Sequence, residues 1–483
     1  MPATDALALD SLLPELWGAE ALRVTGIESD SRRVRTGQLF VGLESRHGEG
    51  RRFLAEAFAA GAAAALVQGP QGSFETVAGR PCWTHPEAPR LLGEALCRWH
   101  RWDADTPPRL VGVTGTNGKS SVTWLIAQLA GAHSEVLGTL GAGPLGALRP
   151  LANTTPAAVE LWTLLAAARD RGARSLAMEV SSHALALQRV AGVPFTAAVF
   201  TNLSRDHLDF HGSMAAYGAA KAKLFESDTL HLAVLNADDP FSATLRARLR
   251  PDVRILGYGF EAGDYRVREY HPGASATLLV LDTPSGTRRL RLPLIGRANV
   301  RNFLAALASV EGLGFETDTQ ALADLHLPPG RYQRLLAQTP EQPDVLIDYA
   351  HTPDALRQVL EDLRAVAKGR ITVVFGCGGD RDRGKRPEMG AVAAALADRV
   401  VLTDDNPRSE SPAAIVADIL KGIPQGRAEV CHERAAAIAK AIGEAGHGDW
   451  VLIAGKGHEQ TQEIAGEKRP CNDLELAREA LHS

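Results

Sequence analysis

Residues 109–129 have the sequence RLVGVTGTNGKSSVTWLIAQL, and this stretch decides the fold of the segment around it. The apolar run from Arg109 to Val113 predicts a short buried strand, and a glycine-rich turn follows it. Apolar residues then recur at helical spacing and predict a helix: Val122, Leu125, Ile126 and Leu129. A strand, a glycine turn and a helix in this order form the context of a phosphate-binding loop.

The turn carries the groups that phosphate binding needs. Glycines let backbone N–H groups close around phosphate oxygens, and the helix N-terminus adds a favourable dipole. Lys119 supplies a positive charge for the outer phosphates, and the hydroxyl of Ser120 can hold Mg²⁺. The spacing from Gly112 to Gly118 is one residue longer than usual. The sequence therefore predicts nucleotide binding but leaves the enzyme class open. The alternative is an ordinary glycine turn of a doubly wound domain, which does not require the Lys-Ser pair.

Composition limits the classes of protein to consider. A chain of 483 residues predicts two to four domains, and 45% hydrophobic with 23% charged residues is typical of globular proteins. The net charge is −5 and no block of Lys and Arg stands out, which argues against nucleic-acid binding. The five cysteines are scattered without a C-x-x-C pair, which favours a reducing compartment over a disulfide framework or a zinc site. No signal peptide or long apolar run is evident, so we expect a cytoplasmic protein that does not enter membranes.

Strand and helix patterns divide the chain into three segments: 1–106, 107–335 and 336–483. The first ends in a polar, proline-marked linker, and the other two alternate strands with helices, as mostly parallel doubly wound sheets do. The predicted strands are Arg109–Thr114, Ser175–Val180, Ala197–Asn202, Ala233–Asn236, Asp344–Asp348, Ile371–Gly376, Arg399–Thr403 and Trp450–Ala454. Helices are predicted from Pro353, Pro387, Pro412 and Asp473, and short antiparallel strands over 254–294. The predicted fold class is α/β with three domains: a central domain of the P-loop ATPase type, with a mostly parallel sheet, and a Rossmann-like C-terminal domain.

Polar residues gather just past the ends of these strands. In open parallel sheets, ligands bind outside the carboxyl ends of the strands. Two α/β domains each offer such an edge, so we expect two substrates. In the third segment four such loops follow strands: 348–353, 375–382, 403–408 and 454–459. Arg408 offers a bidentate fork for a carboxylate and Glu459 can accept from an ammonium, so these loops predict a pocket for a zwitterion.

Two central motifs allow more than one interpretation. Glu179 ends a predicted strand and suits Mg²⁺, whereas the following Ser181 and Ser182 favour a helix N-cap; both can hold at once. Residues 201–212, TNLSRDHLDFHG, are rich in His and Asp, which would also suit zinc or iron. Beside a nucleotide site we favour His207 as a polar contact to phosphate or Mg²⁺; a solvated loop remains the alternative.

Two predicted helices are equally ambiguous. The helix over 217–225 carries Lys221 and Lys223, which by default form a solvated face. Asn299 and Asn302 share one face of the helix that opens at Arg297, and either read an adenine edge or cap the helix.

Taken in order along nearly the whole chain, these motifs resemble the Mur ligases of peptidoglycan synthesis, and within that family its MurE branch. The resemblance is carried by these stretches: Thr114-Gly-Thr-Asn-Gly-Lys-Ser120, Asn153-Thr-Thr-Pro156, Glu179-Val-Ser-Ser-His183, Thr201-Asn-Leu-Ser-Arg-Asp-His-Leu-Asp209, Asp348-Tyr-Ala-His-Thr-Pro-Asp354, Gly376-Cys-Gly-Gly-Asp-Arg381, Asp405-Asn-Pro-Arg408 and Gly455-Lys-Gly-His-Glu459. It implies an N-terminal domain for a uridine nucleotide, a central ATPase domain and a C-terminal amino-acid domain.

The resemblance also implies the reaction. ATP and Mg²⁺ would convert the free carboxylate of UDP-N-acetylmuramoyl-L-alanyl-D-glutamate into an acyl phosphate, which an amino acid then attacks. The implied catalytic residues are Lys119, Glu179, His207 and Lys221. The implied ATP-binding residues are Thr114, Gly115, Thr116, Asn117, Gly118, Lys119, Ser120, Asn299 and Arg331. The implied metal ligands are Ser120, Glu179 and Lys221, the last as a carbamate.

The remaining implied contacts concern the two substrates. For the uridine nucleotide they are Ser29, Ser31, Arg46, His47, Gly48, Asn153, Thr154, Thr155, Ser181 and Arg189. For the amino acid they are Arg381, Asp405, Asn406, Pro407, Arg408, Gly455 and Glu459. One position departs from the family pattern, because Leu187 stands where a glutamine is frequent.

In the family, the Asp-Asn-Pro-Arg tetrapeptide marks the enzymes that use meso-diaminopimelate rather than lysine. Diaminopimelate carries one more distal carboxylate than lysine, which a buried Arg408 can pair; a site built for that charge keeps an unpaired cation when lysine binds. The alternatives are a lysine-adding enzyme, a sister Mur ligase or folylpolyglutamate synthase, a nucleotide kinase, and a non-catalytic nucleotide-gated binding protein. We expect a monomer without nucleic-acid or membrane partners.

Overall fold

The computed structural model describes the chain except residues 1–5, 17, 20–21, 45–47, 103–107, 318–320, 336, 338, 340 and 483. It forms two compact units. The first comprises 1–114, 133–198 and 220–231, and the second comprises 115–132, 199–219 and 232–483. Among the described residues no helix combines the length and apolar character needed to cross a membrane. The five cysteines are free thiols.

The N-terminal part of the first unit contains a five-stranded sheet. Its elements are β1 (Leu7–Ala8), α1 (Leu9–Leu12), β2 (Arg23–Val24), β3 (Ile27–Glu28), β4 (Leu39–Gly42), α2 (Leu54–Ala59), β5 (Ala64–Gln68), β6 (Ser73–Val77), β7 (Arg80–His85) and α3 (Ala88–Trp99), with 3-10 turns at Ser31–Arg33 and Gly50–Phe53. The strand order is β3-β4-β5-β7-β6, parallel except for the edge strand β6. Phe40 and Val67 pack with Leu54 and Phe58 of α2 in the core.

The phosphate-loop segment has the predicted strand, turn and helix. The elements that follow are β8 (Arg109–Thr114), α4 (Lys119–Leu129), β9 (Ser134–Gly138), β10 (Gly141–Pro144), α5 (Ala158–Asp170), β11 (Ser175–Glu179), α6 (Ser182–Ala186), β12 (Ala197–Phe200), α7 (Leu208–His211), α8 (Met214–Ala222), a 3-10 turn (Lys223–Glu226), β13 (Leu232–Asn236) and α9 (Phe241–Arg246). In the first unit the strand order is β10-β9-β11-β8-β12, with β11 parallel to both neighbours.

The second unit contains an extended sheet formed chiefly by strands β13 to β17. The elements are β14 (Arg254–Gly259), β15 (Tyr265–His271), β16 (Thr277–Thr283), β17 (Gly286–Leu292), α10 (Arg297–Gly312) and a 3-10 turn (Ala321–Asp324), in the strand order β12-β13-β14-β15-β16-β17. The antiparallel strands predicted over 254–294 are confirmed for β15 to β17. The prediction is wrong for β14, which pairs in parallel with β13 because helix α9 connects the two strands as a crossover.

The C-terminal part of the second unit is a doubly wound sheet. Its elements are β18 (Gln333–Leu335), β19 (Asp344–Asp348), α11 (Pro353–Arg364), β20 (Ile371–Phe375), α12 (Lys385–Leu396), β21 (Arg399–Leu402), α13 (Pro412–Leu420), β22 (Ala428–Val430), α14 (Arg434–Gly443), β23 (Trp450–Ala454), β24 (Thr461–Ile464), β25 (Glu467–Pro470) and α15 (Asp473–His482). The order is β18-β19-β23-β20-β21-β22, parallel from β19 to β22. Helices α11 to α13 cover one face, and α14 and α15 cover the other.

This strand order places the four polar loops of the third segment at one edge. The loops follow β19, β23, β20 and β21, four parallel strands that are neighbours in the sheet, so their carboxyl ends lie side by side. The edge predicted for a zwitterion pocket is therefore present. Strand β18 joins this sheet just before the predicted boundary at 335 and 336, and the three domain ranges themselves stay predictions.

Candidate functional site

The phosphate loop lies between β8 and α4 and requires its glycines. Gly115 and Gly118 have φ values of +152° and +87°. A Cβ at Gly115 would lie 1.8 Å from Oγ1 of Thr201, and one at Gly118 would lie 2.5 Å from Oδ1 of Asn302. The Lys119 ammonium donates to the carbonyl oxygens of Gly115 at 2.9 Å and Thr116 at 2.8 Å, and so lies over the loop that it is predicted to serve.

The motif that follows β12 holds the phosphate loop in shape. The Asn117 N–H donates to Oδ1 of Asn202 at 3.0 Å, and the Thr116 N–H donates to the Asn202 carbonyl at 2.9 Å. The Thr201 hydroxyl donates to the Asn117 carbonyl at 2.6 Å, and the Thr116 hydroxyl lies 3.2 Å from the hydroxyl of Tyr217. Tyr217 stands in a motif that the sequence analysis noted only for its lysines. Its contact with the phosphate loop depends on how α8 packs, which the sequence does not indicate.

In the first unit, Glu179 ends β11 with 3% of its surface exposed. Its Oε1 accepts from the Thr139 N–H at 2.8 Å, and its carbonyl accepts from the Thr155 hydroxyl at 2.8 Å. The Ser181 hydroxyl accepts from the Ala184 N–H and caps α6, so the capping interpretation is confirmed for Ser181. A buried carboxylate at the strand end is the donor that the Mg²⁺ prediction needs.

The remaining implied uridine contacts of this strand edge lie near Glu179. The Thr154 hydroxyl is 3.1 Å from that of Thr139, and Nη1 of Arg189 donates to the Thr155 carbonyl at 3.1 Å. Asn153 is exposed and available to a ligand. In the N-terminal sheet, Ser31 is buried and its hydroxyl donates to Glu56 at 2.6 Å, while the Ser29 N–H donates to Glu28. Gly48 has φ +104°, and the predicted contacts Arg46 and His47 lie outside the described residues.

The two lysines at the end of helix α8 have different surroundings: Lys221 lies in the last turn of the helix and Lys223 begins the 3-10 turn that follows. Lys221 is 1% exposed, whereas Lys223 lies on the surface. The solvated face expected by default is therefore wrong for Lys221. Burial keeps the Lys221 side chain out of solvent at the position that the resemblance assigns to a carbamate.

The His-rich loop of the second unit approaches the loop after β19. His207 has φ +52°, and its Nε2 lies 3.4 Å from Oδ2 of Asp206. His351 donates through Nδ1 to the Tyr349 carbonyl at 2.8 Å, with its Nε2 3.9 Å from the same Asp206 oxygen. Burial lowers the pKa of His351 to about 4, so this imidazole is neutral at pH 7. Among the described residues no group of three or more His, Cys, Asp and Glu is arranged so that it could hold a metal ion.

The helix that opens at Arg297 gives the two asparagines unequal roles. Asn299 is 2% exposed, and its amide donates to the Ile295 carbonyl at 2.8 Å, while Asn302 donates to Oδ1 of Asn299 at 3.4 Å. Neither asparagine caps this helix, so the capping interpretation does not hold; the Asp362 carboxylate accepts from the Arg297 N–H at 2.8 Å instead. Arg331 lies with its guanidinium 4.1 Å from the centre of the Tyr349 ring, at the start of the C-terminal sheet.

The loops after β21 and β23 form a charged pocket. Asp405 and Asn406 are buried, and the Asn406 amide donates to Oε2 of Glu459 at 2.8 Å. Burial raises the pKa of Asp405, with the charges of Arg434 and Lys456 acting in the opposite direction. Gly455 has φ +111°, and a Cβ there would lie 2.6 Å from Oδ2 of Asp405. The pocket thus contains two carboxylates, those of Asp405 and Glu459, and closely packed backbone around Gly455.

Arg408 occupies the rim of this pocket. Its φ is +52°, its N–H donates to the Glu463 carbonyl at 3.0 Å, and its Nη1 donates to the Gly379 carbonyl at 2.8 Å. Its Nε lies 3.7 Å from a carboxylate oxygen of Glu463. The side chain is 24% exposed, so the prediction of a buried arginine is wrong in degree, because the rim opens to solvent beside Glu463. Pro407 is buried, and the exposed Arg381 donates to the Asp380 carbonyl.

Several residues of this site gave no usable signal in the sequence. The motif over 455–459 contains Lys456 but indicates no role for it. No sequence pattern points to Glu463 or Arg434. Glu463 lies in the polar hairpin β24–β25, which lacks the apolar alternation that identifies strands. Arg434 opens helix α14 and forms a fully buried pair with Asp473 at 2.7 Å. A lone charged residue on a predicted helix is usually solvated, so only the fold could reveal this pair.

Comparisons with known proteins assign this arrangement to a family. The Mur ligase middle domain matches residues 113–310, and the family described as "Mur ligase, glutamate ligase domain" matches residues 330–457. A UDP-N-acetylmuramoyl-L-alanyl-D-glutamate--2,6-diaminopimelate ligase of Chromobacterium violaceum is 44% identical, with 98% of this chain and 97% of the relative covered. A protein of the same name from Xanthomonas campestris is 43% identical over 99% of this chain and 97% of the relative. A solved structure with that name is 37% identical, with a TM-score of 0.72 and 99% of each chain covered. The chain therefore belongs to the Mur ligase family.

Proposed function

We propose that this protein is an ATP-dependent amide ligase that joins meso-diaminopimelate to UDP-N-acetylmuramoyl-L-alanyl-D-glutamate. The observation that carries the proposal is the polar cluster at the carboxyl ends of β21 and β23, where the amide of buried Asn406 donates to Glu459 and the Arg408 guanidinium, two residues further along the same loop, donates to the Gly379 carbonyl. The names of relatives 44% and 43% identical over nearly the whole chain support the same substrates.

The chemistry must activate a carboxylate, which is a poor acyl donor. A carboxylate oxygen of the peptide attacks the γ-phosphorus of ATP, and ADP leaves, so that an acyl phosphate forms. The amine of the second substrate then attacks the carbonyl carbon, loses a proton, and the tetrahedral intermediate expels phosphate. Both steps develop negative charge on phosphate oxygens, and fixed positive charge near them lowers the barrier.

In this chain the phosphate loop supplies that charge. The Lys119 ammonium, held over Gly115 and Thr116, needs only to exchange carbonyl oxygens for phosphate oxygens. Asn299 and Arg331 complete the proposed ATP contacts. The residues that would hold Mg²⁺ are Ser120, Glu179 and Lys221 as a carbamate, and the ion would neutralise charge on the transferred phosphoryl group. The buried carboxylate of Glu179 and the buried amine of Lys221 fit that chemistry.

The amino-acid pocket distinguishes zwitterions by their distal end. In the proposal, Arg408 pairs with the distal carboxylate of diaminopimelate and Glu459 accepts from an ammonium. Lysine lacks the distal carboxylate and would leave the guanidinium without its partner. An unpaired polar group of this kind lowers kcat/KM for the substrate that lacks the partner, here lysine, by orders of magnitude when the polar group is desolvated.

The uridine nucleotide would bind at the N-terminal sheet and at the strand edge around Glu179. The supporting residues are Ser29, Ser31, Arg46, His47, Gly48, Asn153, Thr154, Thr155, Ser181 and Arg189, of which Arg46 and His47 lie outside the described residues. The backbone around Thr155 is tied to Glu179 and Arg189, so the nucleotide contacts and the proposed metal ligand share one scaffold.

Phosphate release tests the proposal directly. The protein is incubated with ATP, Mg²⁺ and UDP-N-acetylmuramoyl-L-alanyl-D-glutamate, and with diaminopimelate, lysine or no amino acid. We expect turnover with diaminopimelate alone. Equal rates with lysine would remove the argument from Arg408, and release that needs no amino acid would point to a different nucleotide-dependent enzyme.

A further inference from the structure

One lysine of the C-terminal sheet is wholly buried and lies inside the charged pocket. Lys456 has 0% of its surface exposed. Its ammonium donates to three oxygens: Oδ1 of Asn406 at 3.3 Å, Oε2 of Glu459 at 3.0 Å and the Thr461 carbonyl at 2.7 Å. An ammonium has three donors, and all three are used. The charge is therefore fully compensated, as a buried charge must be.

Two of these three partners are residues that the proposed function assigns to the amino acid. Oδ1 of Asn406 accepts from Lys456 and from the Glu463 N–H at 2.9 Å, and its Nδ2 donates to Glu459 at 2.8 Å. Because Oδ1 accepts from two donors and Nδ2 donates to an acceptor, the orientation of the amide is fixed. Both of these contacts to Glu459 are accepted by its Oε2. Its Oε1 is therefore the oxygen that would accept from a substrate ammonium.

The pocket also concentrates negative charge. Burial raises the pKa of Asp405, and the charge of Glu459 raises it further, whereas Arg434 and Lys456 lower it. Arg434 is already paired with Asp473 and reaches the pocket through the carbonyl oxygens of Asp404 and Ala454. Asp404 itself is paired with His432 at 2.7 Å. Lys456 thus bonds directly to a carboxylate of the pocket, that of Glu459, whereas Arg434 does so only with Asp473.

We infer that Lys456 is a positioning residue for the amino-acid substrate. Its ammonium fixes the Asn406 amide and keeps Glu459 as an oriented carboxylate, ready to receive the substrate ammonium. The inference rests on the proposed function, because it assigns Asn406 and Glu459 to the substrate. A lysine that only supported the hairpin through Thr461 would have no specific effect on the amino acid.

Two substitutions remove the charge in different ways. Lys456→Met keeps the length and removes every donor, and Lys456→Gln keeps donors without the charge. Lys440→Met is the matched control, because Lys440 is a half-exposed lysine of the same sheet domain that pairs with Glu429. We expect both Lys456 variants to raise the KM for diaminopimelate about tenfold or more, with the KM for ATP within about twofold of the parent value.

A double-variant cycle separates positioning from mere support of the fold. If Lys456 acts through the orientation of Glu459, Lys456→Gln should raise the KM for diaminopimelate in the parent but add little to it in a Glu459→Gln background, because the carboxylate that Lys456 orients is absent there.

The outcomes are distinct. Three results would overturn the inference. They are an unchanged KM for diaminopimelate in both variants, an equal rise of the two KM values together with a lower melting temperature, and an equal effect of Lys456→Gln with and without Glu459→Gln. A parent protein that does not turn over diaminopimelate at all contradicts the proposed function instead.

Discussion

Two lysines near the end of helix α8 show how far a single residue's surroundings decide its chemistry: Lys221 lies in its last turn, and Lys223 begins the 3-10 turn that follows. Lys221 and Lys223 have the same side chain and lie two positions apart, yet Lys221 is 1% exposed and Lys223 is on the surface. Resemblance to the family selected Lys221, while helical periodicity alone gave no reason to prefer it. The structure adds the difference between the two, because the fold encloses Lys221 and leaves Lys223 in contact with solvent.

We predict that Lys221 carries a carbamate. Its neutral amine adds to CO₂ and releases a proton, which leaves an anion. In buffer with ¹³C-bicarbonate, the parent protein should give a carbamate carbon signal in NMR. Lys221→Ala should abolish the signal and lower turnover by about two orders of magnitude, the scale of losing one group that stabilises developing charge.

Lys223→Ala is the control, since that side chain is exposed in the 3-10 turn that follows α8. It should keep both the signal and the activity. A carbamate signal that survives in Lys221→Ala would exclude this lysine as the modified residue.

Arg408 is the second test at this scale. Arg408→Lys keeps the positive charge but loses the planar fork that binds a carboxylate through two hydrogen bonds. It also loses the bond from Nη1 to the Gly379 carbonyl, which orients the side chain. We expect the KM for diaminopimelate to rise about tenfold or more while the KM for ATP stays the same, as measured by phosphate release. Unchanged kinetics with diaminopimelate would contradict the assignment of the pocket.

At the scale of helices and strands, local signals located the elements whose boundaries are set by the chain itself. Helices α11, α13 and α15 begin at Pro353, Pro412 and Asp473 as predicted, because proline fits the first helical turn and Asp favours it. Helix α12 begins at Lys385, two residues before the predicted Pro387. Strands β9, β10, β22, β24 and β25 were not predicted, because short or polar strands lack a periodic apolar pattern.

Gly330 controls how the chain enters the C-terminal sheet. It has φ +69°, and a Cβ there would lie 2.1 Å from the backbone nitrogen of His458 and 2.3 Å from the carbonyl carbon of Gly457. Because both neighbours are backbone atoms of the loop after β23, they cannot rotate away. We expect Gly330→Ala to lower the free energy of unfolding by about 2 kcal/mol or more and to raise the KM for diaminopimelate.

Gly314→Ala separates strain from collision. Gly314 has φ +79° but open space where a Cβ would lie, so only the conformational cost of about 1 kcal/mol should appear in urea unfolding. Equal losses of unfolding free energy in Gly330→Ala and Gly314→Ala would mean that the added Cβ at position 330 is accommodated without further cost.

For the molecule as a whole, two partly buried histidines link stability to pH. Burial lowers the pKa of His351 and of His458 to about 4, from an ordinary value of 6.5. The unfolded chain therefore binds protons at these sites between pH 6.5 and 4 while the folded chain does not, and stability falls as pH falls through this window. Asp348 acts in the opposite direction, because burial raises its pKa to about 6 and the folded state takes up its proton first.

We predict that His351→Gln combined with His458→Gln makes the free energy of unfolding fall less between pH 6.5 and 4 than in the parent. Denaturant titrations at several pH values measure this slope. The exposed His271→Gln serves as control and should leave the slope unchanged. The same loss of stability in the parent and the double variant would show that these two histidines do not control the acid transition.

The sequence by itself determined the α/β class, the phosphate loop from Thr114 to Ser120 and the strand-end position of Glu179. It also determined the composition of the loops around Arg408 and Glu459. Local spacing and backbone preference decide these features, and both are properties of neighbouring residues. The tertiary structure alone decided that Lys221 is buried, that Lys456 reaches Asn406 and Glu459, and that Glu463 faces Arg408. Contacts between residues distant in sequence depend on strand order, and a buried charge is recognised only once its partners are in place.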